Sequence, residues 1–402
     1  MTQQFSLRLT HGLRLASVAA CLWGGWWSWK LARADFLFRE DTADAVRAAI
    51  RLVPDQPQYY MRLAQLDGGR APEYLETALA LNRYNAQASI ELALQREADG
   101  DYASAEKLLL DAFAVDRTFI SRWTLANFYF RRDDMPAFWK WARRAAEMPA
   151  NDIGALFQLC WRAAPDPELI ANRVLTDQPD TIRQYLAFLL NHGDVRAAAT
   201  VASHLLQHGQ PDEDRPLLLG TINRAIDQGD TAPAISLWRA LADRRWVVAD
   251  QTLPNNSVFA REPVPVAFDW RLPSYEGLHS WPGPSGLEVE LTGREPENCV
   301  VAEQTVPVSV GRYELKYSYR TRDIAPDTGL RWQVQDSLSG AVLAASPDLS
   351  HETLKTDSVT FVAGRNQPLV RLRLAYARAL GTPRISGMLV VVSTALQPHG
   401  PQ

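Results

Sequence analysis

Two stretches of this chain superpose when one slides past the other by 33 residues. "LALQREADGDYASAEKLLLDAF" (92–113) and "LANFYFRRDDMPAFWKWARRAA" (125–146) bring Leu92 onto Leu125, Ala93 onto Ala126, Gly100-Asp101 onto Asp133-Asp134 and Ala112 onto Ala145. An earlier copy, "LAQLDGGRAPEYLETALALN", has Leu63-Ala64 and Ala78 in the same roles with a turn five residues shorter. Later copies are "LAFLLNHGDVRAAATVASHLL", with Gly193-Asp194, and "GTINRAIDQGDTAPAISLWRAL", with Gly229-Asp230. Each copy carries apolar residues at helical spacing on both sides of a turn, so each is a pair of short helices. A lone pair cannot cover its own apolar faces, and only stacking on its neighbours buries them.

Glycine just past the first helix supplies the left-handed residue that ends it, and aspartate at 133 tolerates that conformation better than most side chains. Two helices joined by a Gly-Asp turn and recurring near 34 residues resemble tetratricopeptide repeats. The resemblance covers about half the chain, residues 35–250, and implies an α-solenoid that holds a protein partner. Residues 151–181 depart from it, because "RAAPDPELIANRV" has two prolines where the turn glycine would sit. The aromatic cluster at 123–141 reads mostly as packing surface: Leu125, Phe128, Tyr129 and Ala142 fall at helical spacing, while neighbouring helices cover Trp139 and Trp141 from either side. One stripe differs. Trp123, Asn127 and Arg131 lie four apart along one helix line, which in proteins resembling this family faces the groove where a partner's peptide lies. Asn127 could bond peptide backbone, Arg131 a carboxylate and Trp123 an apolar side chain.

Across the 402 residues a formal charge of −4 is close to neutral and gives no basic stripe for nucleic acid. Only Lys30, Lys107, Lys140, Lys316 and Lys355 are lysines, so arginine makes up nearly all of the 42 basic residues, a bias that fits genome composition. Cys21, Cys160 and Cys299 lie far apart and form no CxxC, so neither a zinc knuckle nor a disulfide framework is expected. His204 and His208 have helical metal-pair spacing, with Asp212, Glu213 and Asp214 following, but no third ligand is fixed and histidine suits a helix C-terminus anyway. No metal or other cofactor is expected.

Leu15 to Trp29 runs without a charge between Arg14 and Lys30. Fifteen residues fall short of the roughly 20 that cross a bilayer core, but Lys30 can snorkel and Leu31-Ala32 extend the run. Trp23, Trp26, Trp27 and Trp29 crowd its end, where indoles favour headgroups. Residues 1–34 are therefore expected to be a signal anchor, a single transmembrane helix. A cleaved signal peptide ending at "ARA" before Asp35, a lipoprotein signal using Cys21, and a buried apolar helix are the alternatives. The first three export the bulk of the chain to the periplasmic or extracellular side. Arg8 and Arg14 before the run, against Lys30, Arg33 and Arg39 after it, orient it only weakly.

At "QTLPNNSVFAREPVPV" the pattern shifts to proline, asparagine and short runs, marking a boundary near 250. From there to 402 the period is two. Leu287, Val289 and Leu291 share one face; Tyr313, Leu315, Tyr317 and Tyr319 point in against Arg312, Glu314, Lys316, Ser318 and Arg320; Leu330, Trp332 and Val334 point in, as do Leu372, Leu374 and Tyr376. Eight to ten such strands read as an antiparallel β-sandwich, so the fold class is α + β and multidomain. The order of signals ("NNSVF", then "FDWRL", then "GRYELKYSYRT", then late strands alternating Arg and Leu) resembles jelly-roll carbohydrate-binding modules. That likeness implies glycan binding without naming a residue. Trp270 and Trp332 fall on core faces, which leaves Trp281, expected in a loop, as the exposed aromatic candidate. The outward set Arg331, Gln333, Arg371 and Arg373 is the candidate face for an anionic polymer, against an ordinary solvated outer face. Cys299 reads as a small buried hydrophobe.

No GxxxxGK[ST], HExxH or GxSxG occurs and no spacing selects a carboxylate pair, so no enzyme is expected. The expected function is a membrane-anchored adaptor whose repeats bind a protein and whose sandwich binds a glycan, in surface polysaccharide assembly or export. A purely structural envelope scaffold and a polysaccharide-modifying enzyme are the alternatives.

Overall fold

The computed structural model describes residues 2–148 and 152–400, with side chains from residue 17 onward. Asn151, where the atypical stretch begins, and the side chains of Arg8, Arg14 and Leu15 lie outside the described residues. The molecule divides into two compact units, Met1–Thr176 and Asp177–Gln402.

The first unit is helical: α1 (Thr2–Arg39), α2 (Ala43–Leu52), α3 (Pro57–Leu66), α4 (Ala71–Leu81), α5 (Ala86–Ala98), α6 (Tyr102–Val115), α7 (Phe119–Arg131), α8 (Met135–Ala146), α9 (Gly154–Ala163) and α10 (Pro167–Val174). From α1 to α9 each helix packs on the next in chain order, the pattern of a stack of hairpins; α10 packs mainly on α8. The reason for the Gly-Asp pairs lies at the hairpin tips. Gly100 and Asp133 adopt left-handed φ of 83° and 57° and stop the first helix. The next residue, Asp101 or Asp134, caps the second helix by accepting from the amide three residues on, at 3.1 and 3.0 Å. The capped helix then buries fixed positions: Ala105 and Ala112 in α6, Phe138 and Ala145 in α8.

Leu92-Ala93 and Leu125-Ala126 are buried, and Leu159-Cys160 continues the series 34 residues on. Cys160 therefore stands in an alanine position. Full burial pushes its thiol up to about 12.

Helix α1 is continuous from the N-terminal segment into the first hairpin, where Ala34, Leu37 and Phe38 pack with Val46, Ala49 and Tyr59. Before Ala34 its side chains from Ser17 are exposed, apart from half-buried Lys30. Trp26 stacks on Trp29 at 5.3 Å between centroids, and the Lys30 ammonium lies 4.7 Å from the Trp27 ring. Among the described residues no helix is long and apolar enough to cross a membrane, so the expected transmembrane helix finds no support. Before Leu15, Phe5, Leu7, Leu9 and Leu13 alternate with polar and charged residues such as Gln4, Arg8, His11 and Arg14, which interrupts the apolar run.

The second unit opens with two further hairpins, α11 (Pro179–His192) with α12 (Val195–His208) and α13 (Pro211–Asp227) with α14 (Thr231–Asp243). Gly193 and Gly229 again take left-handed φ, and Asp194 caps α12. These hairpins belong with the sandwich rather than apart from it. The Asn223 carbonyl oxygen accepts from the Ala267 amide at 2.7 Å and from Arg271 at 3.1 Å, and Trp238 meets Phe268 edge-on at 5.9 Å.

The sandwich comprises β1 (Leu278–Gly283), β2 (Gly286–Thr292), β3 (Asn298–Pro307), β4 (Gly311–Arg322), β5 (Leu330–Asp336), β6 (Val342–Ala345), β7 (Lys355–Ala363), β8 (Leu369–Ala377) and β9 (Ser386–Pro398). One sheet runs β1-β2-β9-β4-β7 and the other β3-β8-β5-β6, antiparallel throughout. Alternation places the expected residues inside: Leu287, Val289, Leu291, Tyr313, Leu315, Tyr317, Tyr319, Leu330, Trp332, Val334, Leu372, Leu374 and Tyr376 form one core with Trp270 and Cys299. Burial, then the Glu295 charge, pushes the Cys299 thiol up to about 11.

Candidate functional site

The stripe on α7 is partly occupied from within. Arg131 is bound bidentately by Glu97 of α5, Nε to Oε1 at 2.7 Å and Nη2 to Oε2 at 2.6 Å. These residues are 34 apart, one repeat, as are Arg196 and Asp230 at 3.0 Å and Arg224 with the Leu190 carbonyl. Equivalent positions on successive hairpins are thus tied together, a role the repeat spacing itself could have disclosed. Asn127 donates to the Trp123 carbonyl at 3.0 Å, one turn back, and Trp123 stacks on Phe119 at 6.2 Å. All three side chains of the stripe therefore lie along one line. Arg131 already holds a carboxylate, while Asn127 and Trp123 remain half-buried beside it. Of the opening aromatics, Phe128, Tyr129, Phe138 and Trp141 are buried. Burial, and a bond of 2.6 Å to Glu106, hold Tyr129 well above the ordinary tyrosine range.

The four polar candidates of the sandwich do come together. Register sets Gln333 opposite Arg373 and Arg331 opposite Ala375, with Gln335 opposite Arg371. On the other side of β8, Glu303 faces Arg373 and Thr305 faces Arg371. Because opposed residues share a face, the outer side of the four-stranded sheet is a lattice of guanidinium and carboxamide groups over the small floor of Ala375 and Ala345. Arg373 Nη1 donates to Gln335 at 3.2 Å, and Gln335 donates to Gln333 at 3.0 Å. Glu303 sits 3.4 Å from Arg373 and 4.0 Å from Arg271, and Asp348 sits 3.9 Å from Arg331. Three guanidinium groups therefore share two carboxylates, and Arg371 pairs with none among the described residues. The Nε atoms of Arg331, Arg371 and Arg373 are buried without a hydrogen-bond partner, an arrangement with unfilled donor capacity. Gln335, Thr305 and Glu303 were not among the expected residues, although the same period-two alternation that selected Gln333 reaches Gln335.

Trp281 does not join this lattice. It lies on β1 of the other sheet, in a strand rather than a loop, opposite Glu288. The turn that sequence composition implied is displaced to Pro284-Ser285, because the hairpin closes between Gly283 and Gly286. At 38% exposure it presents only part of its ring.

Near His204 and His208, Glu213 and Asp214 are committed to Arg183, and Asp214 also accepts from the Gln210 amide at 2.7 Å. His208 lies 3.8 Å from Asp177. Among the described residues no group of three or more His, Cys, Asp or Glu is gathered as metal ligands.

No family model matches the chain, and no curated protein does. Solved structures similar to it include the carbohydrate-binding module CBM4, at 11% identity over 36% of this chain and 99% of that one, with a TM-score of 0.29. YrrB, a TPR protein with an unusual peptide-binding site, is 15% identical over 50% of this chain and 93% of its own, with a TM-score of 0.26. PilF of Pseudomonas aeruginosa is 19% identical over 54% of this chain and 90% of its own, with a TM-score of 0.25. By its own repeat geometry and strand order the chain is a series of helical hairpins of tetratricopeptide type followed by a two-sheet antiparallel sandwich.

Proposed function

We propose that this protein is a non-catalytic adaptor that holds an anionic glycan on its sandwich and a protein partner on its helical hairpins. The carrying observation is the outer face of the four-stranded sheet. Arg331, Arg371 and Arg373 stand half-buried there beside Gln333 and Gln335, with Glu303 and Asp348 as their only carboxylates among the described residues. Planar, bidentate donors at strand spacing suit the carboxylates of an acidic sugar polymer better than the stacked faces of neutral sugar. The helical unit adds the α7 stripe, where Asn127 and Trp123 flank an Arg131–Glu97 pair that a partner's acidic peptide would have to displace. Exposed indoles on α1 favour attachment at a membrane surface, with the rest of the chain on the periplasmic or extracellular side and a place in surface polysaccharide assembly or export.

Titration calorimetry of the full chain with oligouronate and with neutral glucan oligomers tests the glycan reading. Saturable uronate binding that weakens with salt and falls at least tenfold in Arg371→Ala/Arg373→Ala is the expected result. Equal binding of the neutral oligomer, or no binding to the folded chain, would leave the sandwich a structural cap. Flotation of the chain with anionic vesicles, lost in Trp26→Ala/Trp29→Ala, tests the attachment.

A further inference from the structure

A cavity of about 600 Å³ in the second unit lies between α14 and the free edge of β3, with Trp238, Arg239, Phe268, Thr305 and Pro307 among its walls. β3 is the outermost strand of its sheet, paired with β8 on one side. On the other side it has a single two-bond bridge, Arg271 N to Glu303 O at 2.8 Å and Glu303 N to Arg271 O at 3.0 Å. That bridge fixes the parity of the strand. In an antiparallel pair the N–H and C=O of one residue point to the same side and successive residues alternate. Glu303 points away from β8, so Thr305 and Pro307 do too. The Val308 amide, bonded to the Pro368 carbonyl at 3.0 Å on the β8 side, agrees.

The edge therefore offers three backbone groups to the cavity: the N–H and C=O of Thr305 and the C=O of Pro307. Among the described residues no backbone or side-chain group bonds them. Proline on an edge strand removes one donor and so limits how long a strand can add there. Above the edge, Trp238 and Phe268 meet edge-on at an interplanar angle of 71° and make an apolar wall. Arg239 is exposed at the rim with no carboxylate paired to it among the described residues, while Asp250 across the cavity is already held by Arg261 at 3.3 Å.

We propose that this cavity receives an extended acidic peptide from a partner protein, which adds as a short strand to β3. One residue of the peptide exchanges both backbone bonds with Thr305, and the residue two positions away donates to the Pro307 carbonyl. An apolar side chain from the peptide packs on Trp238 and Phe268, and a neighbouring carboxylate meets Arg239. The site borders the arginine lattice at Thr305 but uses that residue's backbone, whereas the lattice uses side chains of β5 and β8, so the two are tested by different substitutions.

The test uses the full chain and an array of acetylated hexapeptides that alternate valine with glutamate, lysine or serine. Saturable binding is expected for the glutamate series, with the Thr305 amide becoming protected from hydrogen exchange. Methylating the backbone nitrogen that pairs with Thr305 should weaken binding at least tenfold. Arg239→Glu should weaken the glutamate series at least tenfold and favour the lysine series. Thr305→Val, which keeps the backbone and loses only the hydroxyl, should change affinity less than twofold. Absence of saturable binding by any peptide of the array would overturn the proposal, as would binding indifferent to both N-methylation and Arg239→Glu.

Discussion

The helical hairpins and the sandwich bury their apolar residues in different ways. At the start of the first unit burial is gathered in small clusters, Ala34 with Val46, Ala49 and Leu63, and Met61 with Leu75, Ala78 and Ala88. Many of these contacts are alanines, and side-chain bonds one repeat apart, Glu97 to Arg131 for instance, tie neighbours together. The sandwich has one core in which Trp332 of β5 meets both Trp270, in the segment before β1, and Tyr317 of β4 at 6.1 Å between ring centroids. Stability in a stack is a sum over neighbours, whereas a single shared core is lost all at once.

Four substitutions or conditions press on that difference. Trp332→Ala removes a fully buried ring and should cost about 3–5 kcal/mol, with the whole sandwich unfolding earlier in urea. Alkylation of Cys299 would report this, and an equal advance at Cys160 in the first unit would show that the two units melt as one. Leu125→Ala, also fully buried, should cost about 2–4 kcal/mol, but confined to the hairpins around α7; hydrogen exchange should rise in α5 to α8 and leave α3 and α4 nearly unchanged.

The thiols sharpen the comparison through pH. Burial raises both thiols above the ordinary 9.0, to about 12 for Cys160 and about 11 for Cys299. The folded state thus holds these protons more tightly than the unfolded state. Their contribution is present below the unfolded pKa and declines as pH rises above it, by about 1 kcal/mol per thiol at pH 10. Urea midpoints at pH 8 and pH 10 should differ accordingly, and the difference should shrink in Cys160→Ala for the first unit and Cys299→Ala for the second. Smallest of all, Arg131→Gln should cost under about 1 kcal/mol, since its side chain is 43% exposed. A larger loss by urea titration would mean that bonds between repeats, and not their alanines, hold the stack.

Much of this architecture could be read from period alone. A spacing near 34 located the hairpins and the left-handed turn at Asp133, and alternation by two placed Trp270 and Trp332 in the core. Period failed where two elements meet. It gave no sign that α13 and α14 pack on the sandwich through Asn223 and Trp238, because such contacts join residues some thirty to fifty apart with no repeat between them. Prolines at 165 and 167 hid the Leu159-Cys160 copy, since the break in the turn drew the eye from the intact first helix. Trp281 was misplaced for a similar reason: proline and glycine mark the hairpin tip, and the strand entering it is short. Carboxylates already serving Arg131 and Arg373 were equally invisible, because a sequence shows charges without showing which are spent.

The unbroken run of α1 into the first hairpin has a mechanical consequence. Its exposed indoles and the packed Ala34, Leu37 and Phe38 sit on one helical rod. A surface that gripped the tryptophans would therefore set the direction of the first hairpin as a handle sets a blade. Rotating one end by a single residue, about 100° around the axis, would turn the other by the same amount. One alanine inserted between Trp29 and Ala34 would thus swing the first hairpin to a different bearing while leaving every hairpin contact intact.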